Sequence, residues 1–346
     1  MENLVRALIV DDSKLIRRLI ASIFNQSQQV QVVGEAENGA EALEMMPRLN
    51  PDVVTLDVNM PVMDGLTALK HIMIKYPRPT VMLSTYTRDG ERVTFDALKY
   101  GAIDFIAKPS RLEGLTLEEQ RQRIIQKVMT AAKVELGAVH YLRDVPKQRI
   151  SKRPGNKNCN FLLAMGTSVG GYSALLKIIP QLRPDLPVAF LVVFYTVSEY
   201  LDAFIKYLDE YSDVQVKRAV NGDLLKNGVC YMASGDEYVT VHPSNGQLSL
   251  KVHPKPFPLH QGAVNMLMFS LADVMKHRSI GVILSGSGED GVEGVREILR
   301  MGGIGIVQDS SSCLCQETVQ STLHSCKVDL VLSDWRIPSE LNTLLI

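Results

Sequence analysis

Short apolar runs alternate with stretches of helical spacing along nearly the whole chain. Arg6–Val10, Val30–Gly34, Asp52–Leu56, Thr80–Leu83 and Ile103–Ile106 read as strands. Ser13–Asn25, Ala40–Arg48, Gly65–Lys75 and Asp89–Tyr100 lie between them with helical periodicity. Such alternation predicts a parallel sheet with helices on both faces. A polar, charged helix from Thr116 to about Leu136 closes this first unit.

The pattern restarts at Cys159. Phe161–Met165, Val188–Phe194, Ser279–Leu284 and Ile304–Val307 are strand-like, and Tyr172–Ile179 has helical spacing. Gly228–Ala233, Tyr238–His242 and Gln247–Val252 are β-rich, with Asn245-Gly246 as a hairpin signal. The expectation is a second doubly wound α/β domain carrying an antiparallel insert or edge. Between the two, Arg143, Lys147, Arg149, Lys152, Arg153 and Lys157 are interleaved with Pro146, Pro154 and Gly155. That composition reads as a solvated linker. The expected organisation is a first domain over 1–125, a helix and basic linker over 126–158, and a second domain over 159–346.

With 346 residues the chain can bury two cores. Its formal net charge of −1 favours neither nucleic acid nor an anionic membrane as partner. No apolar run approaches the roughly 18 residues of a membrane span, and the start lacks signal-peptide character. The five cysteines are scattered, as expected for reduced thiols of a cytoplasmic protein.

Two constellations carry chemistry. Side chains at the carboxyl ends of parallel strands converge on one crevice. There the first domain places Asp11 and Asp12, then Asp57, then Ser84 and Thr85, then Lys108 before Pro109. Three carboxylates together call for a hard divalent cation such as Mg²⁺. Asp57 can then act as a carboxylate nucleophile toward a phosphoryl donor, with Lys108 and Ser84 holding the new oxygens.

In the second domain Gly166-Thr167-Ser168-Val169-Gly170 is a G-x-S-x-G pattern between an apolar strand and a helix. A serine on such a turn is presented at the sheet edge with helix N-terminal N–H groups nearby. Ser285-Gly286-Ser287-Gly288-Glu289-Asp290-Gly291 follows another buried strand and places Asp290 at the same edge. It lacks the Lys-Ser/Thr ending of a phosphate-binding loop.

Asp57-Val58-Asn59-Met60-Pro61 and Gly101 through Pro109 resemble the signatures of the response-regulator receiver family. The resemblance implies a flavodoxin-like five-stranded fold and phosphorylation of Asp57 by a histidine kinase. It also implies Mg²⁺ held by Asp12, Asp57 and the Asn59 carbonyl with Asp11 assisting, and Ser84 and Phe105 as a moving pair.

Gly166-Thr167-Ser168-Val169-Gly170-Gly171, Gly286 to Gly291, Asn221-Gly222-Asp223, Gly228 to Ala233 and Gln308-Asp309 resemble the chemotaxis methylesterase family CheB. This implies removal of methyl groups from glutamate γ-methyl esters, and deamidation of certain glutamines, on methyl-accepting chemoreceptors. It further implies a receiver that covers the active site until phosphorylated. Ser168 and Asp290 match the family's nucleophile and carboxylate, and Gly166, Val169, Gly170 and Ser287 stand at the positions of its oxyanion loops.

The family's base is the histidine of a Gln-His-Met stretch, where this chain has Phe194-Tyr195-Thr196. A free phenol titrates near about 10 and is a poor base at neutral pH. Val169 replaces Thr and Ser287 replaces Met; Gln261–Asn265 and Glu317–Val319 also depart from the pattern. Of the other histidines, His260, in the Pro-rich loop beside the altered stretch Gln261–Asn265, is the best alternative base. Two readings follow: a methylesterase and deamidase with an unusual base, or a catalytically silent signalling protein that binds the same partners. DNA binding is not expected of so large and neutral a second domain.

Overall fold

The computed structural model describes residues 4–84, 88–108, 116–134, 136, 159–196, 198–254 and 262–345. Thr85, Pro109, the basic stretch 143–157, His260 and Gln261 lie outside the described residues. The chain divides into two compact units between residues 143 and 144.

The first unit runs β1 (Val5–Val10), α1 (Lys14–Ser27), β2 (Val30–Ala36), α2 (Gly39–Leu49), β3 (Val53–Asp57), α3 (Gly65–Lys75), β4 (Thr80–Ser84), α4 (Arg88–Lys99), β5 (Asp104–Ala107) and α5 (Leu117–Ala132). Its five strands are parallel in the order β2-β1-β3-β4-β5. All five residues of β3 and all five of β4 are buried. Helices cover both faces of a parallel sheet, so its central strands are continuously apolar rather than alternating. The helix entries carry local signals legible in the chain. Asn38 accepts from Glu41 N–H, Asp64 from Thr67 N–H, and Thr116 with Glu119 forms a capping box.

The second unit contains β6 (Phe161–Thr167), α6 (Gly171–Ile178), β7 (Val188–Phe194), α7 (Ser198–Tyr211), β8 (Gln215–Arg218), β9 (Val229–Ser234), β10 (Glu237–Ser244) and β11 (Gln247–Pro254). It continues with α8 (Ala263–Met275), β12 (Ser279–Ile283), α9 (Val292–Arg300), β13 (Ile304–Gln308), α10 (Glu317–Ser325), β14 (Leu330–Leu332) and α11 (Ile337–Leu344). Seven strands form a parallel sheet in the order β14-β13-β12-β6-β7-β9-β8. β10 and β11 form a separate antiparallel hairpin turning at Asn245 and Gly246, both at positive φ. The segment Gly228–Ala233, read from sequence as one of the β-rich pieces of the insert, instead supplies a parallel strand of the main sheet.

The chain enters this sheet at β6, turns to β7 on one side, and later returns to β12 on the other. The crevice between β6 and β12 is therefore the point where strand order reverses, the favoured ligand position in open α/β sheets. Leu267, Met268 and Leu271 of α8 share one buried cluster with Leu162, Ala164 and Ile283 beneath that crevice. No helix among the described residues is long and apolar enough to cross a membrane.

Candidate functional sites

At the carboxyl end of the first sheet Asp11 is fully buried, Asp57 is 3% exposed and Asp12 is exposed. One carboxylate oxygen of each lies within 4.8 Å of the others. Lys108 Nζ stands 2.8 Å from both Asp11 Oδ2 and Asp57 Oδ2. Asp11 Oδ2 is buried and has no aligned hydrogen-bond donor among the described residues, although that ammonium is close. Converging hard oxygens of which one lacks an aligned donor fit a small divalent cation. Burial raises the Asp57 carboxyl above its ordinary range, against the opposing pull of Lys108. Burial works to lower Lys108, but its close pairing with the Asp11 and Asp57 carboxylates prevails and raises it.

The neighbouring backbone is tightly fitted. Gly65 N–H donates to Val58 O at 2.9 Å, and a Cβ on Gly65 would collide with the Asp57 carbonyl. Ser84, 2% exposed at the end of β4, accepts a 3.0 Å hydrogen bond from Thr94 Oγ1 of α4. Phe105 is buried edge-on against Phe95, with ring centroids 5.7 Å apart. Asn59 is exposed two residues beyond Asp57.

In the second unit Ser168 stands between the last residue of β6 and the first turn of α6, with Gly170 at φ 83° completing the turn. The turn is tied to the loop after β12. Ser168 N–H and Thr167 Oγ1 both donate to Ser285 O, at 3.3 and 2.7 Å. Ser285 Oγ donates to Val169 O and accepts from Cys315 N–H, each at 2.9 Å. Gln308 accepts from Ser285 N–H at 2.8 Å and donates to Ser312 O at 2.9 Å. Ser285 and Gln308, buried polar residues at the ends of apolar strands, thus fix the nucleophile loop. Their polarity at otherwise apolar strand ends is the sequence signal for this role.

Ser168 Oγ accepts a 2.8 Å hydrogen bond from Ser287 N–H and lies 3.5 Å from Ser287 O. No described histidine is hydrogen-bonded to it. His242 pairs with Thr240 Oγ1 at 2.9 Å and His324 with Gln320 O at 2.7 Å.

The hydroxyl of Tyr195 donates instead to Asp290 Oδ2 at 2.6 Å. Burial first, then the Asp290 charge and hydrogen bond, push this phenol far above its ordinary range. Its ring lies directly over Gly235, where a Cβ would overlap it.

Asp290 is further held by two backbone donors, Val264 N–H to Oδ2 at 2.9 Å and Asn265 N–H to Oδ1 at 3.0 Å. In return Asn265 Oδ1 accepts from Gly291 N–H at 3.0 Å and Gly294 N–H at 2.7 Å. Both α8 and α9 begin after a glycine at positive φ that offers no side-chain cap, Gly262 and Gly291. Each helix is capped by a polar side chain from the start of the other, so orphan N–H groups are satisfied reciprocally. Asn265 is a site residue that sequence reasoning did not single out.

The sequence-derived residues of each unit are therefore brought together. Asp11, Asp12, Asp57, Ser84 and Lys108 share one crevice. Ser168, Ser287, Tyr195 and Asp290 share the other, where the hydrogen bonds described at Ser168 Oγ are to Ser287 and those described at Asp290 are to Tyr195, Val264 and Asn265.

Comparison with known proteins agrees with both units. Residues 7–118 match the response regulator receiver domain and residues 163–341 match CheB methylesterase. A protein-glutamate methylesterase/protein-glutamine glutaminase of Pyrococcus abyssi is 37% identical over 341 residues, covering 96% of this chain and 92% of that protein. One of the same description from Bacillus licheniformis is 35% identical over 317 residues, 89% of each chain. The Thermotoga maritima CheB methylesterase catalytic domain superposes with a TM-score of 0.51 at 28% identity, covering 53% of this chain and 98% of that domain. A receiver unit, a switch-point serine elbow and this near-full-length likeness together place the chain in the CheB methylesterase family.

Proposed function

We propose that this protein is a phosphorylation-controlled chemotaxis response regulator that engages the methyl-accepting segments of chemoreceptors with hydrolysis largely silenced. The observation that carries the silencing is the 2.6 Å hydrogen bond from Tyr195 to Asp290. Acyl transfer by serine needs a base that takes the hydroxyl proton and returns it to the leaving group. A phenol pushed above its ordinary range and already donating to a carboxylate does not take that proton. Loss of the triad histidine costs about 10⁶ in kcat in the subtilisin example, leaving what binding and the oxyanion donor supply.

In the receiver, Asp57 is the phosphoryl acceptor and a histidine kinase the physiological donor. Asp11, Asp12, Asp57 and the Asn59 carbonyl would hold Mg²⁺. That ion supplies charge neutralisation for the crowded carboxylates and the incoming phosphoryl oxygens. Lys108 and Ser84 then hold the phosphoryl group, Ser84 exchanging its contact with Thr94. Phe105 is the second element of the switch, and phosphorylation governs access to the Ser168 face. The setting is the cytoplasm.

The names of the relatives favour a second reading, a working methylesterase and glutaminase. Ser168 and its Ser287 donor support it, and His260 would be the base. The two readings separate in one experiment. Phosphorylate the full chain with acetyl phosphate and Mg²⁺, present methylated receptor, and follow binding and methanol release together. Binding without methanol release beyond that of Ser168→Ala supports silencing. Rapid release that requires Ser168 supports the second reading.

A further inference from the structure

The Ser168 crevice carries a charge that no proton relay uses. Ser287 N–H points at Ser168 Oγ, and the next backbone donor, Gly288 N–H, points at Glu317 Oε2 at 3.2 Å. Consecutive backbone nitrogens are less than about 4 Å apart. An exposed carboxylate therefore sits one peptide unit from the donor at which a substrate carbonyl would dock.

The position is held by backbone. Gly286 N–H donates to Cys315 O at 3.0 Å and Thr318 N–H donates to Gly286 O at 3.1 Å. A Cβ on Gly286 would meet Ser168 Oγ at 2.8 Å and Thr318 Oγ1 at 3.1 Å, so the start of α10 forms one wall of the crevice. Asp290, on the same loop as Ser287, adds a second carboxylate.

A like charge brought into this setting is disfavoured, whereas a neutral carbonyl is not. We propose that Glu317 makes the crevice selective for uncharged glutamyl derivatives, the γ-methyl ester or the amide, over the free carboxylate. The protein then reads the modification state of a receptor side chain without changing it. The same charge opposes an oxyanion at Ser287 N–H, which accords with silencing. This inference rests on the binding reading above.

The test uses the full chain treated with acetyl phosphate and Mg²⁺, and two forms of a receptor cytoplasmic domain. One carries Gln at the methylation positions and the other carries Glu. The expected result is about five- to tenfold tighter binding of the Gln form at low salt, shrinking toward parity as ionic strength rises from about 50 to about 500 mM. Glu317→Gln, which keeps an acceptor for Gly288 N–H, should reduce the ratio to below about twofold by tightening binding of the Glu form. A purely structural role for Glu317 would not produce that salt dependence. Equal binding of the two forms, or a ratio unchanged in Glu317→Gln, overturns this inference alone. No binding of either form, or rapid turnover of methylated receptor, overturns the binding reading together with it.

Discussion

Tyr195 donates its hydroxyl proton to Asp290 Oδ2 at 2.6 Å and so occupies the hydrogen bond that an orienting carboxylate would offer to a histidine. The rest of the crevice is assembled around that exchange. Ser168 is presented on its elbow, Ser287 N–H is aimed at its oxygen, and Asp290 is held by Val264 and Asn265 N–H. Among the described residues, what is missing at Ser168 is a group that can both accept and return a proton.

A histidine at 195 should restore it. Tyr195→His is expected to raise methanol release from methylated receptor by at least about 10²-fold, within the usual contribution of general acid–base catalysis. A stopped assay for methanol reads this directly. No gain in a folded variant would show that the loops differ from a working site in more than the base.

Asp290 has a structural duty that Ser168 lacks. Because it caps α8 while Asn265 caps α9, Asp290→Ala should destabilise the second unit by about 1–2 kcal/mol. Ser168→Ala should cost less than about 1 kcal/mol, removing one acceptor at the crevice surface. Urea unfolding of the two variants separates a helix cap from a nucleophile.

The phenol of Tyr195 makes a pH prediction with a definite sign. Its folded value is raised above the ordinary 10.0, chiefly by burial. Stability from the protonated phenol is therefore fully present below about pH 10 and is lost as pH rises through the folded value. Ultraviolet titration of wild type and Tyr195→Phe should show the same absorbance rise between about pH 9 and 11. A larger rise in wild type would mean that Tyr195 ionises as a free phenol and that its bond to Asp290 is weak.

In the receiver, Gly65 is bare because its backbone passes against the Asp57 carbonyl. Gly65→Ala should displace the Asp57 loop, costing about 1–3 kcal/mol. It should also suppress phosphorylation by acetyl phosphate in Mg²⁺, which Asp57→Asn should abolish. Retained labelling in Asp57→Asn would move the phosphoryl acceptor elsewhere.

Much of this was legible because parallel strands announce themselves as buried apolar runs, and chemistry sits at their carboxyl ends. Asp57, Lys108, Ser168 and Asp290 all follow such runs. β8 was not legible, since Gln215–Arg218 is a polar edge strand with a single buried residue, Val216. β14 has only three residues and one of them is buried. Gly228–Ala233 reads as a strand, yet its pairing beside β7 depends on a crossover that no local pattern encodes. The reciprocal caps were equally hidden. Asp290 and Asn265 look unrelated until two glycine-started helices, each without a cap of its own, are placed end to end. Tyr195 was visible as a substitution, but its bond to Asp290 required the fold.

The most direct measurement is the rate of methanol release from methylated receptor by the Asp57-phosphorylated full chain, compared with Ser168→Ala under the same conditions. The two rates are expected to agree within about twofold and to lie roughly 10⁴–10⁶ below that of a histidine-bearing relative. A rate near that of the relative, abolished by Ser168→Ala, would contradict silencing.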